Sequence, residues 1–178
     1  MKRYYTDKEY RQLIRNMLIL VDTRDKSNQA ILDEFDRQGI KYKKKALKTG
    51  DYSFAIEECP ELGFPYETLF TDEIVIERKN SLDELAGNFA NKTDDERIFK
   101  EMNRMINIER VYLLVENNKL DDIYMHNYRS EYNPDSFIRT LLTWQARNGM
   151  HIYFVDKENM ARTIYELCKN CLDSKILK

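Results

Sequence analysis

An α/β sandwich with a mixed sheet is the fold class that this sequence predicts, and three observations predict it. Compact apolar runs of strand length stand at 17–21, 111–115 and 151–155. Segments with apolar residues at helical spacing separate them. The two kinds of segment alternate, which is the order that covers a sheet with helices. The chain has 178 residues, 42% of them hydrophobic and 34% charged, with 5 glycines and 3 prolines, a composition suited to one folded domain with an adequate core.

Thr6-Asp7-Lys8-Glu9 has the form of a capping box, and Tyr10, Leu13, Ile14 and Met17 follow at helical spacing, so a short helix leads the chain. The run from Met17 to Val21 reads as a strand buried on both faces and ending at Asp22. Ile31, Leu32 and Phe35 mark one face of a helix that stops at Gly39. An extended segment over 40–47 is interrupted by Gly50-Asp51, and Tyr52 to Ile56 resumes as a strand. Cys59-Pro60, Gly63 and Pro65 make 57–73 an exposed, loop-like excursion that rejoins the sheet at Ile74, Val75 and Ile76. Ser81-Leu82-Asp83-Glu84 is a second capping box with Ser81 as N-cap. An amphipathic helix over 94–108 turns Ile98, Met102 and Met105 inward. Asn133-Pro134 opens a helix through Trp144, and a last helix over 159–172 carries Ile164, Leu167, Cys168 and Cys171 on one side. The expected organisation is a helical extension over 1–16 and one domain over 17–178.

The net charge of −2 gives no general affinity for nucleic acid, so any such contact must be local. Lys41, Lys43, Lys44, Lys45 and Lys48 form the one dense basic stretch, and Lys43, Lys44, Lys45 and Lys48 are the candidate phosphate contacts. Lysines also protect exposed strand edges from aggregation. The longest apolar run is five residues, against roughly 20 needed to span a bilayer, so no membrane partner is expected. Three cysteines, Cys59, Cys168 and Cys171, are an odd number in a chain without a visible signal peptide. An intracellular, cytoplasmic setting is expected, with the nucleoid or nucleus as its DNA-bearing part. Cys168 and Cys171 lie on one helix with too few partners for a four-ligand zinc site, and they read as a packed helix face.

Asp51 near the start of one strand and Glu77-Arg78-Lys79 at the end of another bring two acids and a lysine toward the sheet edge. Phosphodiester hydrolysis needs charge neutralisation at the phosphoryl oxygens and a water made nucleophilic near neutral pH. A carboxylate-bound Mg²⁺ supplies both. A lysine beside it orients the water or stabilises developing negative charge. Each short motif alone arises easily by chance in a chain this charged. Their joint occurrence, with 25 residues between Asp51 and Glu77 and three between Lys79 and Asp83, is far more specific.

The pattern Gly50-Asp51, Glu77-Arg78-Lys79, Asp83 resembles the motif Gly-Asp-x(n)-Glu-Arg-Lys-x3-Asp of the XPF-type nuclease family. Val21-Asp22-Thr23-Arg24-Asp25 resembles the family's Val-Asp-x-Arg-Glu element, with Asp25 in place of the usual Glu. The resemblance implies a restriction-endonuclease-like three-layer sandwich, a central mixed β-sheet flanked by helices, and a DNA endonuclease of repair or recombination acting on branched or flapped DNA. It implies Mg²⁺ or Mn²⁺ bound by Asp51 and Glu77, with Asp22 at the metal through bound water. Lys79 would act on the water or the transition state, Arg24 and Arg78 would stabilise the site or approach phosphate, and Asp83 would sit close by. It also implies a homodimer formed through the nuclease domain, for which the apolar faces of the last two helices are available.

Two departures stand out: the long 57–73 segment, and the lack of a helix–hairpin–helix pair after the nuclease pattern. The alternatives are a non-catalytic DNA-binding partner subunit of the same fold and a sequence-specific duplex cutter. The intact acids and lysine favour the enzyme, and no recognition domain is evident. For Asp83 the helix dipole alone explains an acid in a first helical turn. His126 and Trp144 read as structural.

Overall fold

In the computed structural model, residues 4–90, 100 and 103–176 are described. These divide into two compact units, the first within 4–74 and 161–176 and the second within 75–160. The architecture is α/β with a mixed sheet flanked by helices, the class that the sequence predicts. Among the described residues no helix is long and apolar enough to cross a membrane.

The first unit begins with helix α1 (Asp7–Arg15), whose Thr6 cap and Glu9 complete the capping box read from the sequence. Strand β1 (Met17–Val21) is buried along its whole length, as a strand covered on both faces must be. Helix α2 (Gln29–Gln38) ends at Gly39 with φ 68°, a left-handed conformation that glycine adopts without a Cβ clash. Strand β2 (Tyr42–Lys44) pairs parallel to β1, and β3 (Tyr52–Ile56) pairs antiparallel to β1 on its other side. Only three residues of the extended stretch over 40–47 pair as strand.

The 57–73 excursion is largely exposed, as expected, but it also has structure of its own. It contains a 3₁₀ turn (Pro60–Leu62) and strand β4 (Thr68–Leu69) antiparallel to β3. It buries Cys59, Leu62 and Phe70, and the Phe70 ring stacks on Phe54 with centroids 4.4 Å apart. Three apolar anchors outweigh the loop character of its glycine and prolines.

The second unit takes up β5 (Ile74–Lys79) from Val75 onward, and places β6 (Arg110–Glu116) between β5 and β7 (Met150–Val155). Strands β6 and β7 run parallel. Val111, Leu113 and Val115 alternate onto one face of β6 and form a core with Leu82, Leu85 and Phe89 of helix α3 (Leu82–Ala90). Helix α4 (Leu120–Tyr124), absent from the sequence reading, contributes Ile123. Helix α5 (Pro134–Asn148) carries the predicted Asn133 cap and contributes Phe137, Leu141 and Trp144. Trp144 is thus a core residue, edge-on to Phe89 with centroids 5.1 Å apart. The helix expected over 94–108 falls largely outside the described residues, as do Ile98 and Met102, while Met105 is fully buried.

Helix α6 (Lys157–Ile176) starts in the second unit and completes the first. Within the first unit Tyr10 of α1 donates to Asp173 of α6 at 2.8 Å, and Lys169 reaches the same carboxylate at 2.9 Å. Cys168 and Cys171 are fully buried on α6, and burial pushes the Cys168 thiol well above its ordinary range, so both act as packing groups.

Candidate functional site

In the first unit, the register that sets Val21 opposite Tyr52 brings the end of β1 beside the start of β3. The backbone N–H of Asp22 donates to the Asp51 carbonyl at 2.8 Å. Gly50, with φ 73°, supplies the left-handed turn that delivers Asp51 to this position, where its side chain is half-buried.

Asp22 is 2% exposed, and its carboxylate is saturated with hydrogen bonds. One oxygen accepts from the Arg24 N–H at 2.7 Å and Nε at 2.8 Å. The other accepts from Arg24 Nη2 at 2.9 Å and from the Leu47 N–H at 2.8 Å. Burial pushes this carboxyl up, but the side-chain and backbone donors of Arg24 and the Leu47 N–H more than offset it, so it stays below the ordinary carboxylate range. Arg24 Nη2 also donates to the Leu47 carbonyl at 2.9 Å. Asp22 and Arg24 therefore tie the turn after β1 to the chain leaving β2. A metal bond to Asp22 would displace one of four existing donors, so this geometry favours a positioning role for it. Asp25 accepts from the Tyr52 hydroxyl at 3.1 Å and from Ser27, which pins the same turn to the residue after Asp51.

The lysine stretch is divided by charge pairing. Lys43 Nζ lies 2.8 Å from Glu67 and Lys45 Nζ 3.9 Å from it, and Lys41 pairs with Glu57. Both glutamates belong to the 57–73 excursion. Lys44 and Lys48 are exposed and have no ion-pair partner among the described residues, so they are the members most available to phosphate.

In the second unit, β5 keeps its strand geometry through the charged end of the motif. Glu77 is 5% exposed and accepts from Lys79 Nζ at 2.7 Å. Glu84 stands 3.7 Å from the same ammonium and accepts from the Asn80 N–H at 2.9 Å. Ser81 caps α3 as predicted, receiving the Glu84 N–H at 3.2 Å. Arg78 is 8% exposed, and its Nε donates to Glu116 at 3.0 Å, with Nη2 on the same oxygen. Its guanidinium is thus engaged inside the fold, which favours the site-stabilising role over a phosphate contact. Asp83 accepts from the Arg129 N–H at 2.6 Å and faces its guanidinium at 3.3 Å, a link between α3 and the loop before α5.

The structure therefore brings Asp22, Arg24 and Asp51 together in one unit, and Glu77 and Lys79 together in the other. Sequence reasoning missed Glu116, Glu84 and the Leu47 backbone. Glu116 stands at the carboxyl end of a predicted strand, a place where α/β folds gather functional groups, but its partner could not be read from spacing.

The donor chemistry suits a hard cation. Asp51 in the first unit and Glu77 in the second each offer the carboxylate oxygens that such a cation prefers, and Mg²⁺ retains several waters, so one or two protein ligands suffice. Among the described residues no group of three or more His, Cys, Asp or Glu side chains gathers as a metal site.

Residues 21–167 match the family model described as the ERCC4 domain. XPF from Aeropyrum pernix shares the fold with a TM-score of 0.58 and 22% identity, over 86% of this chain and 60% of that one. XPF from the same organism, in complex with DNA, gives a TM-score of 0.60 at 22% identity, over 89% of this chain and 65% of that one. The chain thus spans less than two thirds of either solved chain. No curated protein matches.

Proposed function

The chain belongs to the ERCC4-domain family, and from that premise we propose that it is a divalent-metal-dependent DNA endonuclease acting on branched or flapped DNA in repair or recombination. The family is nuclease-related, and its nucleases are generally divalent-metal dependent. The observation that carries the reading is the Glu77–Lys79 pair: a carboxylate 5% exposed and an ammonium 2.7 Å from it, at the end of a strand inside the matched residues. Buried acids are retained when they are paired or ligate a cation.

In this reading Asp51 and Glu77 hold Mg²⁺ or Mn²⁺, which supplies charge neutralisation and a nucleophilic water. Lys79 orients that water or stabilises charge on the phosphoryl oxygens. Asp22 and Arg24 hold the turn that carries Asp51, Arg78 holds β5 through Glu116, and Asp83 holds the start of α3. Lys44 and Lys48, with Lys43 and Lys45 when released from Glu67, meet phosphates. A homodimer formed through the nuclease domain is part of the proposal, supported by the exposed apolar residues Leu120, Tyr124 and Leu142, which line one groove of the second unit.

The test incubates the purified chain with Mg²⁺ or Mn²⁺ on flap, fork, junction and plain duplex DNA, beside Asp51→Ala and Lys79→Ala. Cutting of branched substrates by wild type alone is the expected result. Equal cutting by Asp51→Ala would remove it from the site. Binding of branched DNA without any cutting would leave the non-catalytic partner subunit as the function.

A further inference from the structure

The opposite end of β1 carries a second concentration of charge. A cleft of about 570 Å³ opens there, walled by the end of α1, the chain after α2 and the middle of α6, all within the first unit. Nucleotide-sized and drug-sized groups fill cavities of this order. Arg15, Lys41 and Arg162 line it against one carboxylate, Glu166. In a chain of net charge −2 this is a local excess of positive charge.

Lys41 is already paired with Glu57, but Arg15 and Arg162 are exposed and have no ion-pair partner among the described residues. Arg15 is the last residue of α1, where the helix dipole favours a base, although the Gln12 and Leu13 carbonyls there are already met by the Asn16 N–H. Arg162 lies inside α6, beyond its first turn and far from the C-terminal end at which a helix dipole favours a base. The half-buried Tyr165 lines the same cleft as the two arginines and stands about one turn of α6 beyond Arg162.

Cations and an aromatic ring lining one cleft are the combination that binds a single nucleic-acid strand, the ring stacking on a base and the cations taking the phosphates. We propose that this cleft holds the single-stranded arm of a branched DNA, with a base on Tyr165 and phosphates on Arg15 and Arg162. The inference rests on the nuclease reading and deepens it. The cleft sits at the start of β1, and Asp22 and Asp51 sit at its far end, about 16 Å away at the usual rise per strand residue. An arm held there would favour substrates that present a free strand beside the duplex to be cut.

The experiment measures binding by fluorescence anisotropy in EDTA, on a duplex and on the same duplex with a single-stranded flap. It compares wild type with the Arg15→Ala/Arg162→Ala pair, Tyr165→Ala and Tyr165→Phe, each checked for an unchanged melting transition. Wild type should prefer the flapped duplex, and the arginine pair and Tyr165→Ala should weaken that preference about tenfold while plain-duplex affinity stays. Tyr165→Phe should behave as wild type, because a phenyl ring still stacks. A halogenated pyrimidine in the flap should photo-crosslink to the peptide containing Tyr165. Equal weakening on both DNAs, or none on either, overturns the cleft while leaving the nuclease reading intact. Absence of DNA binding by wild type overturns both. Occupation by polyglutamate with no effect on flap binding would make the cleft a site for acidic peptide and overturn the proposal.

Discussion

Removing the charge of Asp22 leaves Arg24 without its bidentate partner and weakens the acceptor for the Leu47 N–H. Asp22→Asn should therefore lower stability by about 1–3 kcal/mol near neutral pH, measured as the shift in urea unfolding. Because the folded carboxyl sits below its ordinary value of 3.8, this contribution is complete above that value. It is lost as pH falls through the lower folded value, so the gap between wild type and variant should close in strong acid. At the reaction itself, Lys79→Ala should reduce kcat on flapped DNA by about 10²–10³, the cost of removing one preorganised charge stabiliser. Asp22, Arg24, Glu77 and Lys79 stand out in the sequence by their place at strand ends and in the family's motif, and the structure pairs Asp22 with Arg24 and Glu77 with Lys79. Glu84 and the Leu47 N–H do not stand out, since nothing in the order of residues states which side chain an ammonium or carboxylate will meet.

At the scale of elements, β5 tolerates Glu77 and Arg78 in buried positions because each has a counter-charge. Glu116→Ala would strand the Arg78 guanidinium inside the fold and should cost about 3–5 kcal/mol in urea unfolding. Replacing both partners, as Arg78→Met with Glu116→Leu, should recover most of that loss. Gly39→Ala places a Cβ on a left-handed residue with open space around it, so the cost of about 1–2 kcal/mol should come from backbone strain alone, read as a lower melting temperature. Strand β1 matched the sequence reading because it is an unbroken apolar run of strand length, and β3 because aromatic and apolar residues flank its one polar residue, Ser53. The excursion over 57–73 is largely exposed as expected, but its buried anchors Cys59, Leu62 and Phe70 are too widely spaced to show any period. Short β4 and α4 carry too few residues for periodicity to register at all.

For the whole molecule, a net charge of −2 makes DNA affinity depend on a few unpaired cations, and salt should expose which ones. Replacing Lys44 and Lys48 together with alanine should reduce the slope of log affinity against log salt by about 1.8, or roughly 0.9 per phosphate contact. Replacing Lys43 and Lys45 should change it less, because Glu67 already neutralises them in part. The α/β class was readable from alternation, but the grouping of elements into two units was not, because it depends on a late segment returning to an early one. That return sets an order of assembly. Residues 75–160 form one uninterrupted stretch, while the first unit lacks its closing helix until 161–176 have been made. A chain emerging from the ribosome can finish the unit bearing Glu77 and Lys79 while the one bearing Asp22 and Asp51 still waits for Asp173 to reach Tyr10. The nuclease motif is thus written early in the chain, yet half of it folds last.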